Sequence, residues 1–277
     1  MGPLVLKLGG ELLETPEQRA RLASCAASIA SQRPLAIVHG GGRAIDAELD
    51  RRGIAPKKVD GLRVTDPATL DVVVSVLGGT ANTALVAALV AEDVAAVGLT
   101  GVDAGLGRAH RVAAHRSAAG TVVDLGLVGD PGDVDPSLVE LLLVHGYVPV
   151  IASLGAERSA SRATTILNVN ADVMACRLAA SLAGSDLVIA GTTSGVLDDR
   201  GEPLPSLDAD SIDALVSGGT ATAGMVAKLA ACRAALLEGV SSVRIVDGRQ
   251  LDGSHGVDDA LGTTLTLGGA EREKQSA

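Results

Sequence analysis

Residues 35–42 read LAIVHGGG, and residues 43–49 continue as RAIDAEL. An apolar run that ends in three glycines and then takes up a helical pattern is typical of a buried strand followed by a ligand loop and a helix. Residues 4–10, LVLKLGG, show a second apolar run that ends in glycines. Glycine lets the chain turn sharply and lets backbone N–H groups approach a ligand's oxygens. Taken alone, each cluster is as compatible with a tight turn as with an anion site.

Strand and helix patterns alternate along the rest of the chain. A helix is predicted from Pro16, because Thr15 and Gln18 form a capping box around its start. Alternation of this kind predicts an α/β fold with a mainly parallel sheet, whose strands read as continuous apolar runs because both faces are covered. Further strands are predicted at 94–99, 148–152, 186–190 and 242–246, short antiparallel strands within 104–133, and two separate helices at 67–77 and 81–91.

The composition indicates a folded protein that binds small molecules. The chain has 277 residues, 47% of them hydrophobic, and a formal charge of −10, which opposes non-specific binding to nucleic acids or anionic membranes. The N-terminus lacks the features of a signal peptide, and charges or glycines interrupt the apolar runs, so we expect a cytoplasmic protein. Three scattered cysteines and five scattered histidines show no ligand spacing, and we predict no structural metal site.

Two lysines near glycines are candidates for phosphate chemistry. Lys7 lies inside a predicted strand, where a cation is uncommon unless it is paired or reaches into a site, although an edge strand would leave it in solvent. Lys228 follows Gly224 by four residues near the start of a predicted helix, where a solvated lysine is the commoner outcome. Two such cations suit phosphoryl transfer, because negative charge spreads over the transferred group.

Other polar residues stand at the ends of predicted elements. In NVNAD, residues 168–172, an asparagine is suited to cap the next helix and Asp172 to complement its dipole. Arg63, which is flanked by a glycine turn and two acids, is either an ordinary surface arginine or a bidentate donor to a substrate carboxylate. His39, beside the glycine triplet, is predicted to order the loop rather than to titrate.

The ordered set of motifs resembles the N-acetylglutamate kinases, a branch of the amino acid kinase family, over about residues 4–265. The Lys-Gly-Gly start and the glycine triplet are shared across the wider family, whereas GLRVTD and LNVNAD together point to the acetylglutamate branch. The motifs are KLGGELL, IVHGGG, KKVDGLRVTD, GTANTALVA, AAVGLTGVDA, DLGLVGDPG, GYVPVIASLG, LNVNAD, SGVLD and GMVAKL.

The resemblance implies an open three-layer αβα sandwich and an activity. Residues 1–165 would form an N-terminal lobe for acetylglutamate binding and dimerisation, residues 166–267 a C-terminal lobe for MgATP, and residues 268–277 a disordered tail. The implied reaction transfers the γ-phosphoryl of ATP to the side-chain carboxylate of N-acetyl-L-glutamate, the second step of arginine synthesis. Arginine-inhibited hexameric members of the family carry an extra N-terminal helix, whereas the first predicted strand here begins by Leu4. We therefore expect a homodimer that is insensitive to arginine.

The resemblance also implies roles for individual residues. Lys7 and Lys228 would stabilise the transferred phosphoryl group, and Asp172 would orient both lysines. The residues implied to bind the substrate are Gly41, Gly42, Arg63 and Asn168. Those implied to contact the nucleotide are Gly9, Gly10, Thr192, Ser194, Gly195, Leu197, Gly224 and Met225.

Three questions stay open at this point. Thr192 stands where the family usually has Asp, which predicts altered rather than lost ATP affinity. A related kinase acting on an acylated aminoadipate fits the same motifs, because sequence does not give the length of the pocket. A catalytically weak binding or regulatory homologue is the third alternative, and the presence of Lys7, Asp172 and Lys228 weighs against it.

Overall fold

The structure, a computed structural model, describes residues 2–112, 114–117, 120–159, 163–198, 200–218 and 223–268. Within these residues the helices are α1 (Pro16–Ala30), α2 (Gly42–Arg51), α3 (Pro67–Val74), α4 (Asn82–Ala91), α5 (Ser137–Val144), α6 (Ala171–Ser181), α7 (Ala209–Gly218) and α8 (Ala223–Leu237). The strands are β1 (Leu4–Leu8), β2 (Leu35–His39), β3 (Lys58–Val59), β4 (Leu62–Arg63), β5 (Ala96–Thr100), β6 (Gly107–Arg111), β7 (His115–Arg116), β8 (Val122–Val123), β9 (Val128–Val134), β10 (Val148–Ala152), β11 (Leu154–Arg158), β12 (Thr164–Val169), β13 (Asp186–Gly191), β14 (Ser206–Asp208), β15 (Ser242–Asp247) and β16 (Gly262–Thr266).

The main sheet has the order β14-β16-β15-β13-β1-β2-β10-β5. All neighbouring pairs in it are parallel except β15 and β16, as the continuous apolar runs predicted. Helices α1 and α4 cover one face, and α5, α6 and α8 cover the other. The prediction of a three-layer αβα sandwich with a mainly parallel sheet is therefore confirmed.

Helix α1 begins where the capping residues predicted. The Thr15 side chain accepts a hydrogen bond from the Gln18 N–H, and the Gln18 side chain accepts one from the Thr15 N–H. Pro16 occupies the first helical position, where its missing N–H costs nothing. A cap of this type contributes about 1 kcal/mol of stability. The buried residues of α1 belong to the same hydrophobic cluster as Leu4, Leu6 and Leu8 of β1.

The two helices predicted at 67–77 and 81–91 are one continuous helix, so that prediction is wrong. A π-helical segment, Ser75–Ala81, joins α3 to α4, because neither Gly78 nor Gly79 adopts the positive φ that ends a helix. The resulting helix Pro67–Ala91 has 25 residues and a mean hydropathy of 1.8, enough by length and composition to cross a membrane. Its residues Leu85 and Leu89 are fully buried against the main sheet and α1, as in a core helix.

A small barrel of β11, β12, β9 and β6 stands beside the sheet. The antiparallel pair β6 and β9 confirms the prediction for residues 104–133, whereas β11, β12, β14 and β16 were not predicted. Short strands with mixed polarity lack the apolar run that identifies a buried parallel strand. The lobe boundary after residue 165 lies within β12 and stays a prediction, and the predicted tail after Gly268 lies outside the described residues.

Candidate active site

The carboxyl ends of β13, β1 and β2 lie side by side at one edge of the main sheet. Gly9-Gly10 follows β1, the glycine triplet 40–42 follows β2, and the segment 192–197 follows β13. Ligands of open parallel sheets bind at this edge, because loops and helix N-termini converge there. Sheet topology thus brings together three predicted segments that are far apart in sequence.

Lys7 and Lys228 share one carboxylate at this edge. The Lys7 Nζ lies 2.8 Å from Asp172 Oδ1, and the Lys228 Nζ lies 3.7 Å from Asp172 Oδ2. The exposed fractions of the three side chains are 9% for Lys7 and 16% for both Lys228 and Asp172. Asn170 caps α6 by accepting hydrogen bonds from the N–H groups of Asp172 and Val173, which fixes the turn that carries the carboxylate.

The charges of this cluster do not cancel. Burial by itself would raise the pKa of Asp172, but the ammonium groups of Lys7 and Lys228 outweigh burial and hold that pKa below its ordinary value. Asp172 is therefore ionised at neutral pH. Two cations around one anion leave a net charge of about +1 in a sparsely solvated site, which suits an anionic group in transfer. The alternative of an edge-strand lysine in solvent is excluded for Lys7.

Arg63 lies in the β3–β4 hairpin over the same edge, and part of its guanidinium group has no hydrogen-bond partner among the described residues. Its Nη2 lies 2.6 Å from Asp46 Oδ1 and donates to the Gly42 carbonyl at 3.1 Å. The Nη1 group is buried and has no hydrogen-bond partner among the described residues. A buried, unpaired guanidinium N–H is costly, so Arg63 is suited to bind a carboxylate that reaches it. The alternative of an ordinary surface arginine is excluded by its 7% exposure.

A cavity of about 210 Å³ opens between this hairpin and the glycine triplet. Asn168 lies in its wall, on β12, and its amide donates a hydrogen bond to Thr65 Oγ1 at 3.1 Å. Asn170 and Ala171 also line the cavity and lead directly to Asp172. The other lining residues include Gly40, Gly41, Gly42, Ile45, Lys58, Leu62, Arg63, Leu77, Ser153 and Val169.

The two glycine loops touch one another. A Cβ on Gly10 would lie 2.6 Å from the Cα of Gly41, and a Cβ on Gly41 would lie 2.8 Å from the Leu77 side chain. Real side chains do not fit such gaps, so this contact between backbones requires glycine. Among the described residues, no acceptor takes the N–H groups of Gly41 and Gly42 at the start of α2. These amides are free to donate to a ligand in the cavity.

The residues predicted to contact the nucleotide lie at the same edge, on the β13 side. Gly9 N–H donates to the Ala190 carbonyl, which ties the Lys-Gly-Gly loop to β13. Gly195 has a φ of 111°, which only glycine adopts without strain. Thr192 is exposed and Ser194 half-buried on the same loop, and Leu197 is 45% exposed. Gly224 and Met225 lie in the first turn of α8, one turn before Lys228.

Residues that sequence patterns missed complete the site. Asp46 on α2 pairs with both Arg63 and Lys58, and these hydrogen bonds and charges outweigh its burial and lower its pKa. Thr65, which is fully buried, holds Asn168 and lies within the GLRVTD motif, a signal that could have identified it. Asp46 carried no such signal, because an acid in a helix is usually exposed.

Two histidines form pairs with acids that spacing did not predict. His115 Nε2 lies 2.8 Å from Asp60 Oδ2 across two hairpins, and His255 Nδ1 lies 3.3 Å from Asp252 Oδ1. The first pair joins residues that are distant in sequence, so only the fold reveals it. It connects the tip of the hairpin that carries Arg63 to β7.

The profile of the amino acid kinase family matches residues 2–247. The acetylglutamate kinase of Chloroflexus aurantiacus is 42% identical over 245 residues, which cover 88% of this chain and 91% of that protein. The acetylglutamate kinase of Symbiobacterium thermophilum is 38% identical over 251 residues, which cover 89% of this chain and 84% of that protein.

Solved structures agree with the family profile. N-acetylglutamate synthase from Neisseria gonorrhoeae, complexed with coenzyme A and N-acetyl-glutamate, matches with a TM-score of 0.78 and 25% identity. The match covers 96% of this chain and 59% of that chain, so the present chain spans less than two thirds of the synthase. With a matching profile and relatives of more than 30% identity, the chain belongs to the amino acid kinase family.

Proposed function

We propose that the protein transfers the γ-phosphoryl group of ATP to the side-chain carboxylate of N-acetyl-L-glutamate, giving N-acetylglutamyl 5-phosphate in arginine biosynthesis. The observation that carries this proposal is the Lys7–Asp172–Lys228 cluster. Asp172 directly follows Asn170 and Ala171, which line the cavity that also contains the unpaired N–H group of Arg63. The two relatives named acetylglutamate kinase, which this chain matches over most of their length, support this substrate.

The proposed reaction needs no general base. A side-chain carboxylate with an ordinary pKa of about 4.3 is already ionised at neutral pH. The protein must therefore align two anions and offset their repulsion. Lys7 and Lys228 would offset the negative charge of the phosphoryl group in transfer, and Asp172 would hold the two ammonium groups in place.

The substrate would lie in the cavity above the glycine triplet. Arg63 Nη1 and the Asn168 amide would bind its α-carboxylate end, and the Gly41 and Gly42 amides would bind the reacting end. An unpaired buried donor of Arg63 supports this orientation, because a carboxylate would satisfy it.

The nucleotide would approach from the β13 side. Gly9 and Gly10 would line the phosphate path, with Thr192, Ser194, Gly195, Leu197, Gly224 and Met225 towards the rest of the nucleotide. Asp172 is engaged by two lysines, so Mg²⁺ would be held mainly by phosphate oxygens. When bound, Mg²⁺ shields phosphate charge.

The protein would act as a cytoplasmic homodimer. Strand β5 ends the main sheet, and among the described residues no further strand pairs with its outer edge. Helix α4 packs against β5 and α5 against the neighbouring β10, and exposed apolar side chains on these helices and directly after α5 support a protein contact there. They are Val90, Leu141, Val144 and Tyr147. Light scattering of the wild type and of Val144→Lys tests this: we expect a dimer that the variant weakens, and a monomeric wild type would refute it.

A substrate panel with MgATP tests the activity. Acyl phosphate is trapped as hydroxamate with N-acetyl-L-glutamate, N-succinyl-L-glutamate and N-acetyl-L-aminoadipate, and Lys7→Ala is the control. We expect the highest kcat/KM with N-acetyl-L-glutamate. A higher value with the aminoadipate analogue would favour the longer substrate, and an equal signal from Lys7→Ala would favour a catalytically weak homologue.

A further inference from the structure

His39 is buried directly before the glycine triplet, and the proposed chemistry does not use it. It is the last residue of β2, lies between Leu8 of β1 and Ala152 of β10, and has no exposed surface. Its Nδ1 lies 3.1 Å from the Gly40 carbonyl oxygen, and its Nε2 lies 3.0 Å from the Asn82 Nδ2. Both ring nitrogens are therefore occupied.

The surroundings of Asn82 determine where the proton of His39 lies. The Asn82 Nδ2 also faces the carbonyl oxygens of Val150 at 2.8 Å and Leu99 at 3.4 Å. Carbonyl oxygens only accept, so the group that faces them is the NH₂ group. An NH₂ group only donates, so His39 Nε2 must accept and the proton is on Nδ1. Nδ1–H therefore donates to the Gly40 carbonyl.

A glycine in the main sheet leaves room for the Asn82 side-chain amide. Gly98 of β5 lies against Asn82, and a Cβ at that position would overlap the Asn82 Oδ1. Glycine inside a strand is otherwise unfavourable. Its presence here is explained by the close approach of the buried amide, which is 4% exposed.

The hydrogen bond to Gly40 orients the next N–H group. In a trans peptide the C=O of one residue and the N–H of the next point in opposite directions within one plane. Gly40 N–H is already bound to the Leu8 carbonyl at 3.2 Å. Holding the Gly40 carbonyl towards His39 therefore directs the Gly41 N–H away from the imidazole, where no described protein group accepts it.

We propose that His39 and Asn82 are positioning residues for the phosphoryl transfer: the Nδ1–H tautomer of His39, selected by Asn82, orients the Gly40–Gly41 peptide so that its N–H faces the reacting carboxylate. This inference rests on the proposed function. The neutral imidazole suits the role, because burial lowers the pKa of His39 to about 4, and a fixed amide needs no reorganisation during the reaction.

Three variants test whether the Nδ1–H donor of His39 is required, or only the shape of its imidazole ring. His39→Asn keeps an amide donor near the position of Nδ1, His39→Leu removes both ring nitrogens, and Asn82→Leu removes the group that selects the tautomer. Ser185→Ala is the matched control, since it deletes a buried hydrogen bond to the Ala179 carbonyl at the opposite edge of the sheet.

For His39→Leu and Asn82→Leu we expect kcat/KM for N-acetyl-L-glutamate to fall about tenfold, the worth of one hydrogen bond, with the KM for MgATP unchanged. His39→Asn should stay within about threefold of the wild type, and Ser185→Ala should lose stability only. Equal losses in His39→Asn and His39→Leu, or no loss in His39→Leu, would overturn the proposal.

Nitrogen-15 NMR of the imidazole gives a readout independent of activity. We expect the Nδ1–H tautomer in the wild type and a mixture of tautomers in Asn82→Leu. An Nε2–H tautomer in the wild type would overturn the proposal even if His39→Leu fails to fold. A wild type that shows the Nδ1–H tautomer but does not phosphorylate acetylglutamate would refute the proposed function instead, and the two failures are thus distinct.

Discussion

Replacing Asp172 by Asn tests the lysine cluster most directly. The amide has nearly the shape of the carboxylate but no charge, so Lys7 and Lys228 lose the group that lies 2.8 Å and 3.7 Å from their ammonium nitrogens. Two poorly solvated cations would then repel each other. We expect both side chains to move away from the positions in which they would meet the phosphoryl group.

The size of the effect follows from these distances. Unit charges about 4 Å apart attract by about 4 kcal/mol at an effective dielectric constant of 20. After the cost of desolvation, removing one partner of a buried ion pair still costs about 3 to 5 kcal/mol. A hundredfold loss of kcat corresponds to about 2.7 kcal/mol. We therefore expect the free energy of unfolding to fall by about 3 to 5 kcal/mol. We also expect kcat to fall about a hundredfold, because the displaced ammonium groups would no longer meet the phosphoryl group.

Steady-state kinetics with acyl phosphate detection measures this loss, and urea denaturation measures the free energy of unfolding. Asp210→Asn is the control, because Asp210 is an exposed acid in the first turn of α7 and its removal changes net charge equally. A kcat of Asp172→Asn within about threefold of the wild type would show that the carboxylate does not position the lysines.

The pH dependence of stability gives a second check on Asp172. Its pKa is lowered in the folded state, so its contribution to stability is present above the pKa of the unfolded chain and is lost as pH falls through the folded pKa. The difference in free energy of unfolding between wild type and Asp172→Asn should be constant from about pH 5 to 8 and shrink below about pH 4. A difference that shrinks near neutral pH would contradict this ionisation state.

Three further predictions follow. Arg63→Lys keeps the charge but loses the fork, and should raise the KM for N-acetyl-L-glutamate about tenfold without changing that for MgATP; a change confined to MgATP would contradict the role of Arg63. Gly10→Ala pushes on Gly41 and should lower both kcat and the melting temperature, whereas Gly79→Ala, with no atom within 4 Å of its added Cβ, should do neither. Burial lowers the pKa of His39 to about 4, so between about pH 6.5 and 4 this imidazole takes up a proton only when the chain unfolds, and the free energy of unfolding of the wild type should fall by about 3 kcal/mol over that interval. In urea denaturation, His39→Asn should not show this fall. An identical pH dependence in both proteins would refute the prediction.

Local patterns were sufficient to predict most of the αβα scaffold. Strand β1 and helix α1 are specified by an apolar run and by the capping box of Thr15 and Gln18, which act within a few residues. The strands of the barrel and the joined helix Pro67–Ala91 could not be predicted in the same way. Their form depends on which partner strand or core lies beside them.

Some residues of the candidate site could also be predicted from local patterns, and others could not. The glycine clusters, Lys7, Lys228, Asp172 and Arg63 could be selected from residue type and position, with a family resemblance to assign their roles. Asp46 and Asn82 could not, because their importance lies in the groups they hold: a guanidinium and an imidazole.

Local sequence patterns specify the order of elements, the apolar surfaces that build a parallel sheet, and the residue types available for binding anions. Which of these residues meet depends on how the elements pack. Lys7 and Asp172 are 2.8 Å apart because β1 and the start of α6 reach one edge of the sheet, and the Gly40 carbonyl faces His39 because Asn82 approaches from α4. Residues distant in sequence are brought within hydrogen-bonding distance by packing, and no local pattern records that distance.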